Sequence, residues 1–242
     1  MDIIVLVLIA VVSLSVISIV WQVSLSSNEI ADREILFQVT PFNTFSSGNY
    51  SGYMTYSELA EHGDFGIGTF DGLDGEMIAL DGVFYQVPVD GKPRQVAPTV
   101  ETPYATITFF EADQTFKVAG ALNYSELTSY INSVLPTQNA IYAIKVTGLY
   151  GYAKTRSVPM QTKPYPPLTE AIKNQSVFTF NNVSATAVGF WFPKSMDGVD
   201  VVGYHLHLIT TDYMAGGHLL DCIVRDANIQ IDQTNEFDLI LP

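Results

Sequence analysis

Three of the chain's four histidines lie within one stretch of fourteen residues, and this stretch constrains the fold more than any other feature. His205 and His207 lie in a run rich in β-branched and aromatic residues, which is typical of a β-strand. They share one face of that strand, because successive side chains point to opposite faces. His218 begins a second apolar run after a Gly216-Gly217 turn. We therefore predict a second, antiparallel strand that brings the three imidazoles together.

Three imidazoles that converge from neighbouring strands favour a metal site. The opposite face of the first strand carries Tyr204, Leu206 and Leu208. The strand is therefore expected to be covered on both sides, where unpaired imidazoles are costly. Three neutral nitrogens suit Zn²⁺, or another divalent ion, with at least one coordination position open. The alternative is three core histidines bonded to the backbone, which we would favour for a single histidine but not for this group.

Cys222 is a weaker ligand candidate, and His62 is not assigned to the metal. Cys222, the only cysteine, has the same strand parity as His218 and could be a fourth ligand. A small buried residue is the favoured interpretation, because a free cysteine commonly behaves as a small hydrophobe. His62 lies beside Glu61 at the predicted end of a short helix, where a solvated side chain is expected. We therefore predict a site with three histidine ligands.

The charge of the chain limits its partners. The formal net charge is −14, with only 11 lysines and arginines. This balance argues against nucleic acid and against an anionic membrane surface as partners. An anionic small molecule would need a local positive centre. A single cysteine also excludes an intrachain disulfide framework.

An apolar run without charged residues covers residues 3–23, and it is long enough to cross a bilayer as a helix. Only Met1 and Asp2 precede it, so the basic start of a signal peptide is missing. We predict a transmembrane anchor over residues 1–27, with a cleaved signal segment as the alternative. The body would then lie outside the cytoplasm, either membrane-anchored or secreted. Residues 28–51 are polar and turn-rich around a strand candidate at 35–39, and they are predicted to be a linker.

The rest of the pattern predicts a β-rich fold with few helices. Strand-like segments separated by Gly-rich turns follow one another from residue 65 onward. Residues 125–135 have apolar positions at helical spacing and end at Pro136. The fold class is α/β in its β-rich α+β form. We expect two packed subdomains of mixed sheet or barrel-like form, with the metal site in the second: residues 52–138 and 139–242.

Glu76 and Arg156 are the candidate catalytic residues. Glu76 shares a predicted strand face with Ile78 and Leu80, so its carboxylate is expected to be buried and to need a cation or to have a raised pKa. A solvated turn glutamate is the alternative. Arg156 lies near Lys154 in a chain otherwise poor in positive charge. An arginine binds a carboxylate through a planar fork and stays charged when buried, although a surface ion pair is the simpler interpretation.

Four segments of the chain resemble the α-acetolactate decarboxylase family. The histidine segment, G-Y-H-L-H-L-I-T-T-D at residues 203–212 followed by G-G-H-L-L-D, is similar to the zinc-binding segment of that family. Residues 66–82, which include D-G-E at 74–76, resemble its N-terminal segment. Residues 155–168 resemble its arginine segment, and T-P-Y-A at 102–105 also agrees. The segments occur in the family's order.

The resemblance implies an enzyme that decarboxylates 2-acetolactate, a 2-hydroxy-3-oxo acid, to acetoin and CO₂ through a metal-stabilised enediolate. Zn²⁺ or another divalent ion would be held by the three histidines. Glu76 would be the acid/base at the enediolate carbon or a metal ligand, and Arg156 would hold the substrate. A homodimer is compatible with the sequence. The family carries a further active-site glutamate near its C-terminal end. Glu236 is the nearest candidate, but its surroundings differ, so that role is not transferred.

Two other interpretations also fit the histidines. H-x-H on a strand with a later histidine occurs in cupin-like metalloenzymes as well, but the glutamate usual there is missing, and Asp212 is the nearest acid. The third interpretation is a membrane-tethered, non-catalytic binding module with a structural metal. A closed site with four ligands would support the binding module, whereas an open position would support an enzyme.

Overall fold

The structure, a computed structural model, describes residues 34–242. The predicted anchor at residues 1–27 lies outside the described residues. Residues 35–242 form one compact unit, and strands dominate it. In chain order the strands are β1 (Ile35–Val39), β2 (Met54–Thr55), β3 (Phe65–Thr69), β4 (Glu76–Leu80), β5 (Val83–Val87), β6 (Arg94–Gln95), β7 (Glu101–Thr102), β8 (Ala105–Thr108), β9 (Gln114–Asn123), β10 (Ile141–Ser157), β11 (Ser176–Phe180), β12 (Val183–Phe192), β13 (Gly203–Thr210), β14 (Gly216–Thr234) and β15 (Glu236–Ile240).

The helices of the described residues are short. α-Helices cover Phe42–Ser46, Tyr56–Leu59, Tyr124–Val134 and Leu168–Ala171, and 3-10 turns cover Asp71–Leu73, Ile172–Asn174 and Lys194–Met196. Within residues 34–242, no helix has the length and apolar character that crossing a membrane requires.

Seven strands form the first sheet, in the order β15-β1-β8-β3-β4-β5-β6. β1 pairs with β15 in parallel, and its pairing with β8 is antiparallel, so the sheet is mixed. The segment from β3 to β5 is an antiparallel meander, as its alternating strands and Gly-rich turns predict. A separate two-stranded sheet joins β2 to β7.

Six strands form the second sheet, in the order β11-β10-β12-β13-β14-β9. β10 pairs antiparallel with β12 along one edge and with β14 along the other. β12 also pairs with β13, and β13 with β14. These four strands therefore close on themselves as a ring, which confirms the barrel-like character expected for this part of the chain.

The two sheets share an apolar core. Leu36, Ile67 and Ile78 of the first sheet lie in one buried cluster with Val188, Phe190 and other residues of the second. A second cluster fills the interior of the ring and the face under the helix Tyr124–Val134. Burial of this many large apolar side chains is the main stabilising contribution to such a fold. The site described below lies where the two sheets meet.

The longest helix agrees with its sequence signals. It begins at Tyr124 after Asn123, which forms a capping box with Glu126. Its apolar face buries Leu127 and Ile131. The predicted range of 125–135 is confirmed to within one residue at either end.

Strand pairing crosses two of the predicted boundaries. Residues 35–51, predicted to belong to a linker around a strand candidate at 35–39, include β1, which has that range and pairs with both β8 and β15, and a helix that buries Phe45. Across the predicted division at residues 138/139, β9 pairs with β14 in the second sheet and β15 pairs with β1 in the first. β9 and β15 each pair with a strand from the other part of the chain for a physical reason. A buried strand needs partners for its backbone N–H and C=O groups, and a free sheet edge supplies them irrespective of position in the chain.

Candidate active site

The three predicted histidines lie side by side on two neighbouring strands. His205 and His207 are on β13, and His207 is directly opposite His218 of β14 in the antiparallel register. The ring centroids are 5.1 to 5.4 Å apart. His207 is almost completely buried, His205 is 9% exposed, and His218 is half-buried. The predicted convergence is confirmed.

Two glycines allow this close packing of strands. Gly217 precedes His218 and has a φ of +129°, and a Cβ at this position would lie 2.5 Å from the carbonyl oxygen of Arg156. A Cβ on Gly216 would lie 2.7 Å from the carbonyl oxygen of Leu208. Gly216 and Gly217 lack side chains that would collide with the neighbouring backbone, so they let β14 approach β10 and β13 next to His218.

Each histidine has a buried ring nitrogen without a hydrogen-bond partner among the described residues: Nδ1 of His205, Nε2 of His207 and Nδ1 of His218. The Nδ1 of His207 lies 2.8 Å from the carbonyl oxygen of Met77. That nitrogen must donate, because a carbonyl only accepts, so the Nε2 of His207 keeps a free lone pair. Burial lowers the pKa of both His207 and His218 well below the usual value. Both rings are therefore neutral at physiological pH, as metal ligands must be.

The cluster fits a divalent ion. One ligand atom from each histidine lies within 4.8 Å of the others. Buried imidazoles without partners are costly, and a cation bound by one nitrogen of each ring would use the lone pair that each neutral imidazole carries. Three neutral imidazoles are a donor set that zinc and similar ions accept. The residues present therefore fit the predicted metal.

Glu76 is buried against the histidines, as its strand face predicts. Its Oε2 lies 3.4 Å from the Nε2 of His207. The preceding turn is held by Thr69, whose hydroxyl donates to the carbonyl oxygen of Gly75 at 2.6 Å. Burial raises the pKa of the Glu76 carboxyl, while the positive charge of Arg156 opposes that shift. The site thus holds a carboxyl that accepts a proton more readily than an exposed glutamate.

Arg156 lies on the same side of the site as Glu76 and the histidines. It lies on β10 opposite His218 of β14, and its Nη1 is 4.0 Å from the Oε1 of Glu76. The same Nη1 is buried without a hydrogen-bond partner among the described residues. A buried guanidinium with an unused donor is suited to an anionic group.

A cavity of about 250 Å³ opens onto these groups. The three histidines, Glu76 and Arg156 form its polar side. Its other side is largely apolar and aromatic and is formed by short helices and loops: Phe42, Phe45, Leu73, Tyr104, Val158, Leu168 and Val201. A pocket with a few convergent polar groups on an apolar wall is typical of a small-molecule site. The three histidines lie in the C-terminal part of the chain, as predicted for the metal site, and Glu76 joins them from the first sheet.

Sequence reasoning missed one buried acid at this site. Asp200 lies in the loop before β13, and its Oδ1 is 3.9 Å from the Nδ1 of His205. Tyr104 donates to it through the phenol hydroxyl at 2.8 Å. Tyr104 belongs to the T-P-Y-A segment, which resembles the family but had no functional role assigned to any of its residues. The V-D-V-V loop around Asp200 has no motif that would have singled it out.

The weaker candidates lie elsewhere. Cys222 is fully buried in the ring's core, and burial raises the pKa of its thiol to about 12, which confirms the small buried residue. His62 is exposed and stacks on Phe37 at 3.7 Å between ring centroids. The carboxylate of Asp212 accepts from Thr210 and from the backbone of Met214. Glu236 lines a different cavity, beside Ser195.

Sequence comparison places the chain among known proteins. The family model described as "Alpha-acetolactate decarboxylase" matches residues 36–242. An alpha-acetolactate decarboxylase of Methanosarcina mazei is 48% identical over 216 residues, which are 89% of this chain and 74% of the relative.

Structural comparison agrees. The X-ray structure of alpha-acetolactate decarboxylase from Bacillus subtilis strain 168 superimposes with a TM-score of 0.84 at 40% identity, covering 86% of this chain and 89% of that one. A protein from Staphylococcus aureus, described as of unknown function and similar to alpha-acetolactate decarboxylase, superimposes with a TM-score of 0.82 at 31% identity. That match covers 85% of this chain and 88% of the other.

Proposed function

Because the chain belongs to the alpha-acetolactate decarboxylase family, we propose that it converts 2-acetolactate to acetoin and CO₂ at the histidine cavity. One observation carries the proposal. Three imidazoles, a buried carboxyl and a buried guanidinium with an unpartnered donor all line a single small cavity. The cavity is large enough for a small hydroxy-keto acid and carries groups suited to each of its polar ends.

His205, His207 and His218 would hold one divalent ion, most simply Zn²⁺. When bound, such an ion supplies a Lewis acid that stabilises negative charge on a ketone oxygen. Three protein ligands leave at least one coordination position open, which supports an enzyme rather than a binding module with a closed structural site. Asp212 is held by its own turn, so it does not provide the acidic ligand that the cupin-like alternative needs.

Arg156 would orient the substrate. In 2-acetolactate the bond between C1 and C2 breaks, and its electron pair moves into the C2–C3 bond as CO₂ leaves, which gives an enediolate. The Nη1 of Arg156 lies 4.0 Å from the Oε1 of Glu76 and has no hydrogen-bond partner among the described residues. Its planar fork can hold the carboxylate before the bond breaks and the enediolate oxygens afterwards.

Glu76 would supply the proton that completes the reaction. Protonation at C2 of the enediolate yields acetoin, so a group that carries a proton must lie on one side of that carbon. Burial raises the pKa of Glu76, and the carboxyl faces the histidines across 3.4 Å. A carboxyl of raised pKa is suited to general acid catalysis near neutral pH.

The apolar wall would exclude water and receive the substrate's methyl groups. Phe45 stacks on Tyr104 with 4.7 Å between ring centroids, and both line the cavity. Removing water from such a site strengthens every electrostatic interaction within it. The location outside the cytoplasm and the homodimer stay predictions, because the first depends on residues 1–27 and the second on contacts between chains.

The test combines elemental analysis with an acetoin assay. Purified protein should contain about one divalent ion per chain and should release CO₂ and acetoin from racemic 2-acetolactate. Chelation should abolish both, and the same ion should restore them. Full activity in a protein freed of metal would reject the metal site, and a metal-loaded protein without acetoin production would reject the decarboxylase.

A further inference from the structure

Asp200 is a fully buried carboxylate that the proposed reaction does not use. Its Oδ1 accepts from the hydroxyl of Tyr104 at 2.8 Å and from the backbone N–H of Val201 at 2.6 Å. Its Oδ2 accepts from the hydroxyl of Thr106 at 2.9 Å. A buried carboxylate is costly unless it is hydrogen-bonded in this way. Three donors therefore fix both oxygens of Asp200 in one orientation.

The two side-chain donors come from the first sheet and the residue directly before its strand β8. Thr106 lies on β8 and Tyr104 directly precedes it, whereas Asp200 lies in the loop that leads into β13. The network thus ties the first sheet to the loop that positions His205.

The fixed carboxylate faces one particular ring nitrogen. The Oδ1 of Asp200 is 3.9 Å from the Nδ1 of His205. That Nδ1 is buried and has no hydrogen-bond partner among the described residues. The gap exceeds a hydrogen bond by about 1 Å, a distance that a small ring rotation would close.

His207 provides a direct comparison within the same site. Its Nδ1 already donates to a fixed acceptor, the carbonyl oxygen of Met77, at 2.8 Å. This contact sets its tautomer and leaves Nε2 available. Metal-binding histidines usually donate their second nitrogen to a carboxylate or carbonyl, which orients the ring and raises its basicity as a ligand. His205 has the carboxylate of Asp200 in the corresponding place.

We propose that Asp200 is a positioning residue for His205: its carboxylate oxygen accepts from Nδ1–H and so leaves Nε2 as the nitrogen that binds the metal. This inference rests on the metal proposed above. Asp200 itself touches neither the metal nor the substrate, and Tyr104 and Thr106 act one step further out by holding Asp200.

The first experiment reads the tautomer of the unmodified protein. Long-range ¹H–¹⁵N correlation spectra of the zinc-loaded full chain report which nitrogen of each imidazole carries a proton, and the chain has only four histidines. We expect a protonated Nδ1 and a zinc-bound Nε2 in His205, the pattern that Met77 imposes on His207. A zinc-bound Nδ1 in His205 would overturn the proposal.

The second experiment measures zinc affinity by competition with a chelator. Asp200→Leu removes every acceptor and should weaken zinc binding by about 10- to 100-fold. Asp200→Asn keeps one acceptor oxygen toward His205 and should stay within about threefold of the parent protein. Unchanged affinity in Asp200→Leu, or an equal loss in both variants, would overturn the acceptor role.

Two further variants supply a control for the loss of a buried carboxylate and a milder disturbance of Asp200. Asp232→Leu removes another buried carboxylate, on β14 well beyond His218, and should leave zinc affinity unchanged. Thr106→Val breaks one contact to Asp200 and should weaken zinc binding by a few-fold even if Asp200→Leu does not fold; unchanged affinity would count against the proposal. If the parent protein binds no zinc at all, the proposed metal site fails. If every variant binds zinc equally, only the role of Asp200 fails.

Discussion

The two halves of the site are assembled in different ways. The histidine half consists of His205, His207 and His218, which lie on two paired strands, so strand alternation and one register are enough to bring them together. The acid–arginine half consists of Glu76 and Arg156, which lie on different sheets and meet only where those sheets pack. The histidine half therefore depends only on the pairing of β13 with β14. The acid–arginine half forms only when the two sheets pack together.

This difference predicts that the halves fail separately. A change in the histidine half should remove the metal. A change in the acid–arginine half should leave the metal in place and damage the chemistry. Substitutions at His207, Arg156, Glu76 and Cys222 test that separation.

Removal of His207 should abolish function. His207→Ala deletes the most deeply buried ligand, so we expect metal content near zero and activity reduced by about 10⁴-fold, because the Lewis acid contributes several kcal/mol to the barrier. Elemental analysis and an acetoin assay measure the two effects. His62→Ala is the matched control and should behave like the parent protein. Full metal occupancy in His207→Ala would contradict the assignment.

Changes at Arg156 should separate charge from geometry. Arg156→Ala loses both and should lower kcat/KM by about 10³-fold. Arg156→Lys keeps the charge but loses the planar fork, so its loss should be smaller, about 10²-fold. Metal content should stay at the parent level in both. Loss of the metal from either variant would mean that the two halves are not independent.

Replacement of Glu76 should affect protonation more than CO₂ release. Glu76→Gln preserves shape but removes the exchangeable carboxyl proton, so acetoin formation should slow by about 10²-fold while CO₂ release continues faster than acetoin appears. The handedness of the acetoin should also become less uniform. CO₂ release, acetoin formation and enantiomeric composition are measured side by side. Unchanged values of all three would remove Glu76 from the proposed chemistry.

The smallest effect is expected at Cys222. Its thiol lies in the core of the ring, and the raised pKa of about 12 keeps it protonated. Cys222→Ala should retain the metal and the activity and should cost about 1 kcal/mol of unfolding free energy, since a small buried group is lost. Thermal unfolding and metal analysis test this. A lower metal content would restore the fourth-ligand alternative.

The sequence predicts the histidine half well because period-two alternation is a local property. The same reasoning predicts the burial of Glu76, since Ile78 and Leu80 share its face and pack between the sheets. The helix Tyr124–Val134 is also predicted, because its cap, its spacing and Pro136 all lie in one short segment.

Non-local pairings are the part that the sequence does not predict. Nothing in residues 35–39 indicates a partner in β15, and nothing in β9 indicates that it pairs with β14. Asp200 was missed for the same reason. Its donors, Tyr104 and Thr106, lie nearly a hundred residues away in the chain, and a lone aspartate in an apolar loop gives no signal of what will surround it.

The parallel pairing of β1 with β15 also bears on synthesis. Ile35 lies beside Glu236, so the first strand of the sheet gains this neighbour only after roughly two hundred further residues have been added. At ordinary rates of translation that interval is about 10 to 40 s. Until then one edge of β1 has unpaired backbone groups, which are a template for pairing with other chains. The nascent protein therefore carries an unpaired strand edge during the whole interval in which the histidine strands are made, and the pairing with β15 ends that exposure.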